Sequence, residues 1–136
     1  MNKKLEWEEK FSVGVALIDN QHKKMFSTIN ELIDLLVGVP TNEQVDNIIK
    51  ALVEYKQFHF VTEKRYFDEF KYERTEEHKA CHDMFNDKLG ELILKNREDS
   101  VTLAFQLVDF LEDWLLDHLM VEDQRYVECF HEHGLT

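Results

Sequence analysis

The chain has 136 residues, 43% hydrophobic and 32% charged, with 4 glycines and 1 proline. That length suits one domain with a single core, and the balance fits a helix-rich globular protein rather than a disordered one. A formal charge of −12 argues against nucleic acid or an anionic membrane surface as a partner, and no apolar run reaches the length of a membrane span.

Residues 1 to 18 read as an extended arm. In FSVGVALID, Phe11, Val13, Val15 and Leu17 alternate, which suits a segment laid on something larger. Asp19 is the expected N-cap of a first helix. That helix runs to about Val37, with Phe26, Ile29, Leu32, Ile33 and Leu36 on one stripe, and Gly38 and Pro40 stop it. Thr41 with Gln44 forms a capping box for a second helix, which continues to about Phe70. KYERT breaks the chain again, with Thr75 as a cap. The third helix covers roughly 76 to 95 and carries His78, His82, Phe85, Leu89 and Leu92 on one face. After NREDS, Ser100 or Asp99 caps a fourth helix. It buries Ala104, Leu107, Val108, Leu111, Leu115, His118 and Leu119 and reaches Cys129 or beyond. Long helices joined by short connections predict an all-α, antiparallel up-down-up-down four-helix bundle over 19–133. The arm 1–18 precedes it, and 1–136 forms one domain.

Five of the seven histidines fall on these helices. His78 and His82 lie one turn apart on the third, and His59 and Glu63 one turn apart on the second. A single inward histidine is more often a hydrogen-bonded core residue than a ligand. The topology changes that balance. His22 near the start of helix one, His59 and Glu63 late in helix two, His78 and His82 opening helix three and His118 late in helix four all meet at one end of the bundle. A buried Glu63 would be costly there unless something neutralised it, and clustered imidazoles and carboxylates are what a metal ion takes.

The segments DNQH (19–22), HFVTE (59–63), HKACH (78–82) and HLMVED (118–123) resemble the hemerythrin pattern. They supply, in order, a histidine, then H-x-x-x-E, H-x-x-x-H and H-x-x-x-x-D. The resemblance is to the bacterial, single-domain branch and spans nearly the whole chain, including an arm with a tryptophan, Trp7. It implies two iron ions bridged by an oxide or hydroxide. His78, His82 and His118 would bind one iron and His22 and His59 the other, with Glu63 and Asp123 bridging. The iron with two imidazoles would keep one open position, where dioxygen binds reversibly. By spacing alone Glu122, four residues after His118, is better placed than Asp123; the family pattern favours Asp123, and a local widening of the helix would bring it inward.

Phe60, Trp114, Leu115 and Leu119 are candidates for the wall of an oxygen pocket, and core packing explains them nearly as well. Carboxylate-rich di-iron oxidases draw two E-x-x-H motifs from their helices. Here that spacing occurs once, Glu128 to His131, near the C-terminus. The expected function is therefore oxygen binding by a non-enzyme that carries, stores or delivers dioxygen, with an oxygen-consuming enzyme as a possible recipient. A di-iron oxidase, a sensor and an iron-holding protein are the alternatives. The opening MNKKLEWEEK lacks the apolar stretch of a signal peptide, and Cys81 and Cys129 show no metal-knuckle spacing. A cytoplasmic monomer is expected.

Overall fold

The computed structural model describes residues 4–136. Four long helices, α1 (Ala16–Leu35), α2 (Asn42–Phe70), α3 (Thr75–Lys95) and α4 (Ser100–Asp117), form an all-α bundle, with no strand among the described residues. α1 packs on α2 and α4, and α3 packs on the same two helices, the arrangement that up-down-up-down connections produce. Beyond α4 the chain takes a π-helical turn (His118–Glu122), a 3-10 turn (Gln124–Tyr126) and a short helix α5 (Val127–Glu132). The fourth helix thus stops short of the Cys129 expected from sequence.

The helix boundaries follow their caps. The Thr41 side chain accepts the Gln44 N–H at 3.1 Å while the Gln44 side chain accepts the Thr41 N–H at 2.9 Å. Lys71 ends α2 in the left-handed region, with φ 53°. Asp99, not Ser100, caps α4 by accepting the Thr102 N–H. Thr75 is the first residue of α3 rather than its cap, and its hydroxyl donates to the Tyr72 carbonyl.

Asp19 does not cap α1, which begins three residues earlier at Ala16. Its carboxylate instead accepts the Ser12 hydroxyl and the Val13 N–H, and so pins the arm to the bundle. Because the helix starts early, the alternation of the arm ends at Val15, and Leu17 is 44% exposed. Further along the arm, the Leu5 N–H and C=O pair with the side-chain amide of Asn30. Trp7, Phe11 and Phe26 pack edge to face.

Two apolar clusters fill the interior. The larger includes Met25, Tyr55, Phe85, Leu115 and Leu119; the smaller includes Ile18, Phe67, Tyr72, Tyr126 and Phe130. Along α2 the inward order is Tyr55, His59, Glu63, Phe67, and along α1 it is Ile18, His22, Met25. The polar residues therefore form one layer sealed between two apolar ones.

Candidate metal centre

Successive steps of four on α2 turn His59 and then Glu63 to the interior, and the same step on α3 does so for His78 and His82. Glu63 Oε1 lies 3.2 Å from His59 Nε2, 3.3 Å from His78 Nε2 and 2.9 Å from His82 Nε2. Asp123 repeats this on the other side. Its Oδ2 is 2.9 Å from His22 Nε2, and its Oδ1 is 2.8 Å from His118 Nε2 and 3.3 Å from His78 Nε2. His22 Nε2 and His59 Nε2 are 3.3 Å apart. Each carboxylate therefore touches both histidine groups, the His22/His59 pair and the His78/His82/His118 trio.

Asp123 reaches this layer because the backbone widens. Its N–H donates to the His118 carbonyl at 2.8 Å, a five-residue step in place of the usual four. A π-turn returns the fifth residue to the face of the first. Asp123 is fully buried, while Glu122 is turned aside to pair with Arg125. The expected local widening is what the chain adopts.

The charges are held without any surface relief. Burial pushes the Glu63 carboxyl up, but the imidazoles of His59 and His78 outweigh it and hold it well below the usual glutamate value. Burial and the Glu63 charge likewise act against Asp123, yet His118 and His22 bring it to about 2. For His78 burial acts downward, and the two carboxylates overcome it and raise the ring. At His82 burial prevails and the ring is lowered.

Hydrogen bonds account for only part of this layer. Glu63 Oε2, both Asp123 oxygens and His118 Nε2 are buried with no partner in hydrogen-bonding geometry, although the Asp123 oxygens lie within 3 Å of His22 and His118. Such atoms converge on a common focus rather than point at one another. Atoms that bind one ion at about 2.1 Å and at right angles stand about 3 Å apart, which matches these separations. Ligand-capable atoms of Glu63, His78, His82 and His118 all lie within 4.8 Å of one another, as do those of His59, Glu63, His118 and Asp123. The residue types and the unpartnered buried atoms together fit a site for metal cations.

A family profile described as "Hemerythrin HHE cation binding domain" matches residues 13–130. The chain belongs to the hemerythrin family. Membership implies non-heme iron binding. Among its relatives, a bacteriohemerythrin of Clostridium acetobutylicum is 30% identical over 126 residues, spanning 90% of this chain and 98% of the relative. A bacteriohemerythrin of Pseudomonas aeruginosa is 28% identical over 125 residues, spanning 92% and 80%. A hemerythrin-like protein of Naegleria gruberi is 30% identical over 121 residues, 88% of each.

Around the hemerythrin centre the four candidate pocket residues divide. Phe60 stacks on His82 with ring centroids 3.6 Å apart, and Trp114 stacks on His118 at 4.3 Å. Both half-buried rings thus brace the three-histidine side. Leu115 and Leu119 are fully buried in the larger apolar cluster. The isolated Glu128 and His131 are exposed and away from the layer; His131 Nε2 donates to the Gly14 carbonyl. Three neighbours were missed by sequence reading. Tyr55 stacks on His59, the fully buried Tyr126 hydroxyl faces Glu63, and Gln21 reaches His59. Tyr55 lies four residues before His59 on the same stripe, so spacing offered a signal for it. For Tyr126 and Gln21 no local pattern did.

Proposed function

We propose that this chain binds dioxygen reversibly, as a carrier, store or delivery protein, and that residues 1–136 act as one hemerythrin-like unit around two iron ions. His78, His82 and His118 hold one ion, His22 and His59 hold the other, and Glu63 and Asp123 bridge them. The observation that carries this reading is that each carboxylate touches both histidine groups. When bound, the iron pair supplies the electrons and the open coordination position that a reversible dioxygen site needs.

The protein's part is binding, orientation and exclusion of water. Two carboxylates against five neutral ligands give each ion a modest negative complement. That charge favours reversible binding over highly oxidised iron. Phe60 and Trp114 fix the rings of His82 and His118 by stacking. The apolar layers above and below keep bulk water from the centre. No helix among the described residues is long and apolar enough to cross a membrane.

The test is anaerobic loading with ferrous iron, followed by elemental analysis and visible spectroscopy. Two irons per chain are expected, with an absorption band that grows in air and vanishes when oxygen is removed, over repeated cycles. One iron or fewer per loaded chain would end the two-iron assignment. A band that decays irreversibly with turnover of an added reductant would favour an oxidase instead.

A further inference from the structure

One of the five histidines, His59, is held differently from His22, His78 and His118. His59 Nδ1 lies 2.6 Å from Gln21 Oε1, deep in the protein, and Gln21 is only 6% exposed. The Nδ1 atoms of His22, His78 and His118 are buried with no hydrogen-bond partner among the described residues. Gln21 also donates through its Nε2 to Thr62 Oγ1 at 3.2 Å. Thr62 in turn donates its hydroxyl hydrogen to the Phe58 carbonyl at 2.8 Å.

The direction of this chain can be deduced end to end. Thr62 has one hydroxyl hydrogen, and it is committed to a carbonyl that can only accept. Toward Gln21, the Thr62 oxygen must therefore act as acceptor. That demand turns the amide NH₂ of Gln21 toward Thr62 and its carbonyl oxygen toward His59. A carbonyl oxygen facing Nδ1 requires a hydrogen on Nδ1. Whenever this ring is neutral, as a metal ligand must be, its bare lone pair lies on Nε2, the atom that faces Glu63 and His22.

We infer that Gln21 is a positioning residue that selects the Nδ1–H tautomer of His59, under orders from Thr62. Through that tautomer it sets how strongly this one imidazole donates to the ion it shares with His22. The effect on metal rests on the proposed two-iron reading; the tautomer does not, because it is set by protein atoms alone. A neutral amide polarises the ring less than a carboxylate would in the same place. The Gln21 side chain therefore makes His59 a fixed but moderate donor, on the ion to which dioxygen binding is assigned.

The experiment uses the full chain with Gln21→Leu, Gln21→Glu, Thr62→Val and Thr62→Ser. In the metal-free protein, nitrogen-15 NMR through long-range couplings reads the His59 tautomer directly. The parent, Gln21→Glu and Thr62→Ser should each show a single Nδ1–H form. Gln21→Leu and Thr62→Val should show a mixture or the other tautomer. Titration with cobalt(II) then counts and weighs two ions. Gln21→Leu should weaken the second, held on two imidazoles, by roughly 10–100-fold while leaving the first unchanged. In the iron-loaded protein, Gln21→Glu should lower the reduction potential below the parent's. An unchanged tautomer in Gln21→Leu overturns the inference, as does equal weakening of both ions, which would mark a merely structural role. If the parent itself takes up only one cobalt, the two-metal reading fails, and the metal-free spectra still decide what Gln21 does.

Discussion

His118 and Asp123 are joined twice. The Asp123 N–H donates to the His118 carbonyl at 2.8 Å, and Asp123 Oδ1 sits 2.8 Å from His118 Nε2. The same five-residue turn that makes the first contact makes the second possible. Asp123→Ala should therefore abolish paired metal binding. Glu122→Ala removes the ion pair with Arg125 and a contact with the Cys81 thiol, neither of them in the buried layer, and should leave metal binding intact and stability within about 1 kcal/mol of the parent. Metal counting on the two variants checks this; a larger loss in Glu122→Ala would mean the carboxylate was assigned to the wrong neighbour.

Glu63→Ala should cost more than a single ligand. One carboxylate oxygen of Glu63 lies within 3.3 Å of three imidazoles from two helices. Removing it should leave both ions short of an oxygen, so the expected outcome is loss of the pair rather than altered gas affinity. The loaded parent should also melt above its metal-free form, because ligands from every part of the bundle link binding to folding. Calorimetry with and without chelator measures that gap, and Glu63→Ala should nearly close it.

Acid should destabilise the metal-free protein in a defined window. Glu63 and Asp123 have folded-state values below their ordinary ones of 4.5 and 3.8, with Asp123 at about 2. The unfolded chain then binds protons first as pH falls. The stabilisation they give is complete above the ordinary carboxylate range and is lost as pH drops toward those lowered values. Near neutrality the picture is mixed: raised His78 contributes stability that fades as pH rises, and lowered His82 contributes stability that fades as pH falls. Urea midpoints taken from about pH 5 to about pH 2 should fall steeply in the parent. The fall should be shallower in Asp123→Asn; identical slopes would show that Asp123 is not held in its charged form.

Leu119 is fully buried directly after His118. Leu119→Ala should cost about 2–5 kcal/mol through the cavity it leaves. Every proposed ligand remains, so two irons should still bind. Opening the apolar wall should speed autoxidation and the uptake of azide. Stopped-flow rates equal to the parent's would make Leu119 ordinary core.

Much of this was legible in the chain because the signals were local. The Thr41/Gln44 box, the four-residue steps on α2 and α3 and the common end of the bundle are all short-range patterns. Asp19 misled because a capping residue type can serve elsewhere; here the N–H and hydroxyl it satisfies, of Val13 and Ser12, belong to the arm before the helix. The position of Asp123 needed a backbone irregularity that residue types do not encode, and only the family pattern pointed to it. Gln21 was invisible for another reason. Its role depends on partners on a different helix, 38 and 41 positions away, and glutamine beside a ligand reads as an ordinary helix former.

The π-turn also has a cost in local protection. A widened turn followed at once by a 3-10 turn lacks the continuous ladder that protects α2, so its amide protons have fewer cooperative neighbours to open with. Yet this stretch carries a carboxylate that reaches back to the first helix through His22. Metal would act there as a clasp across the least regular part of the bundle. In hydrogen–deuterium exchange, removing metal should accelerate residues 118–126 well before the middle of α2, placing the molecule's most metal-dependent stability and its chemistry on the same few peptide bonds.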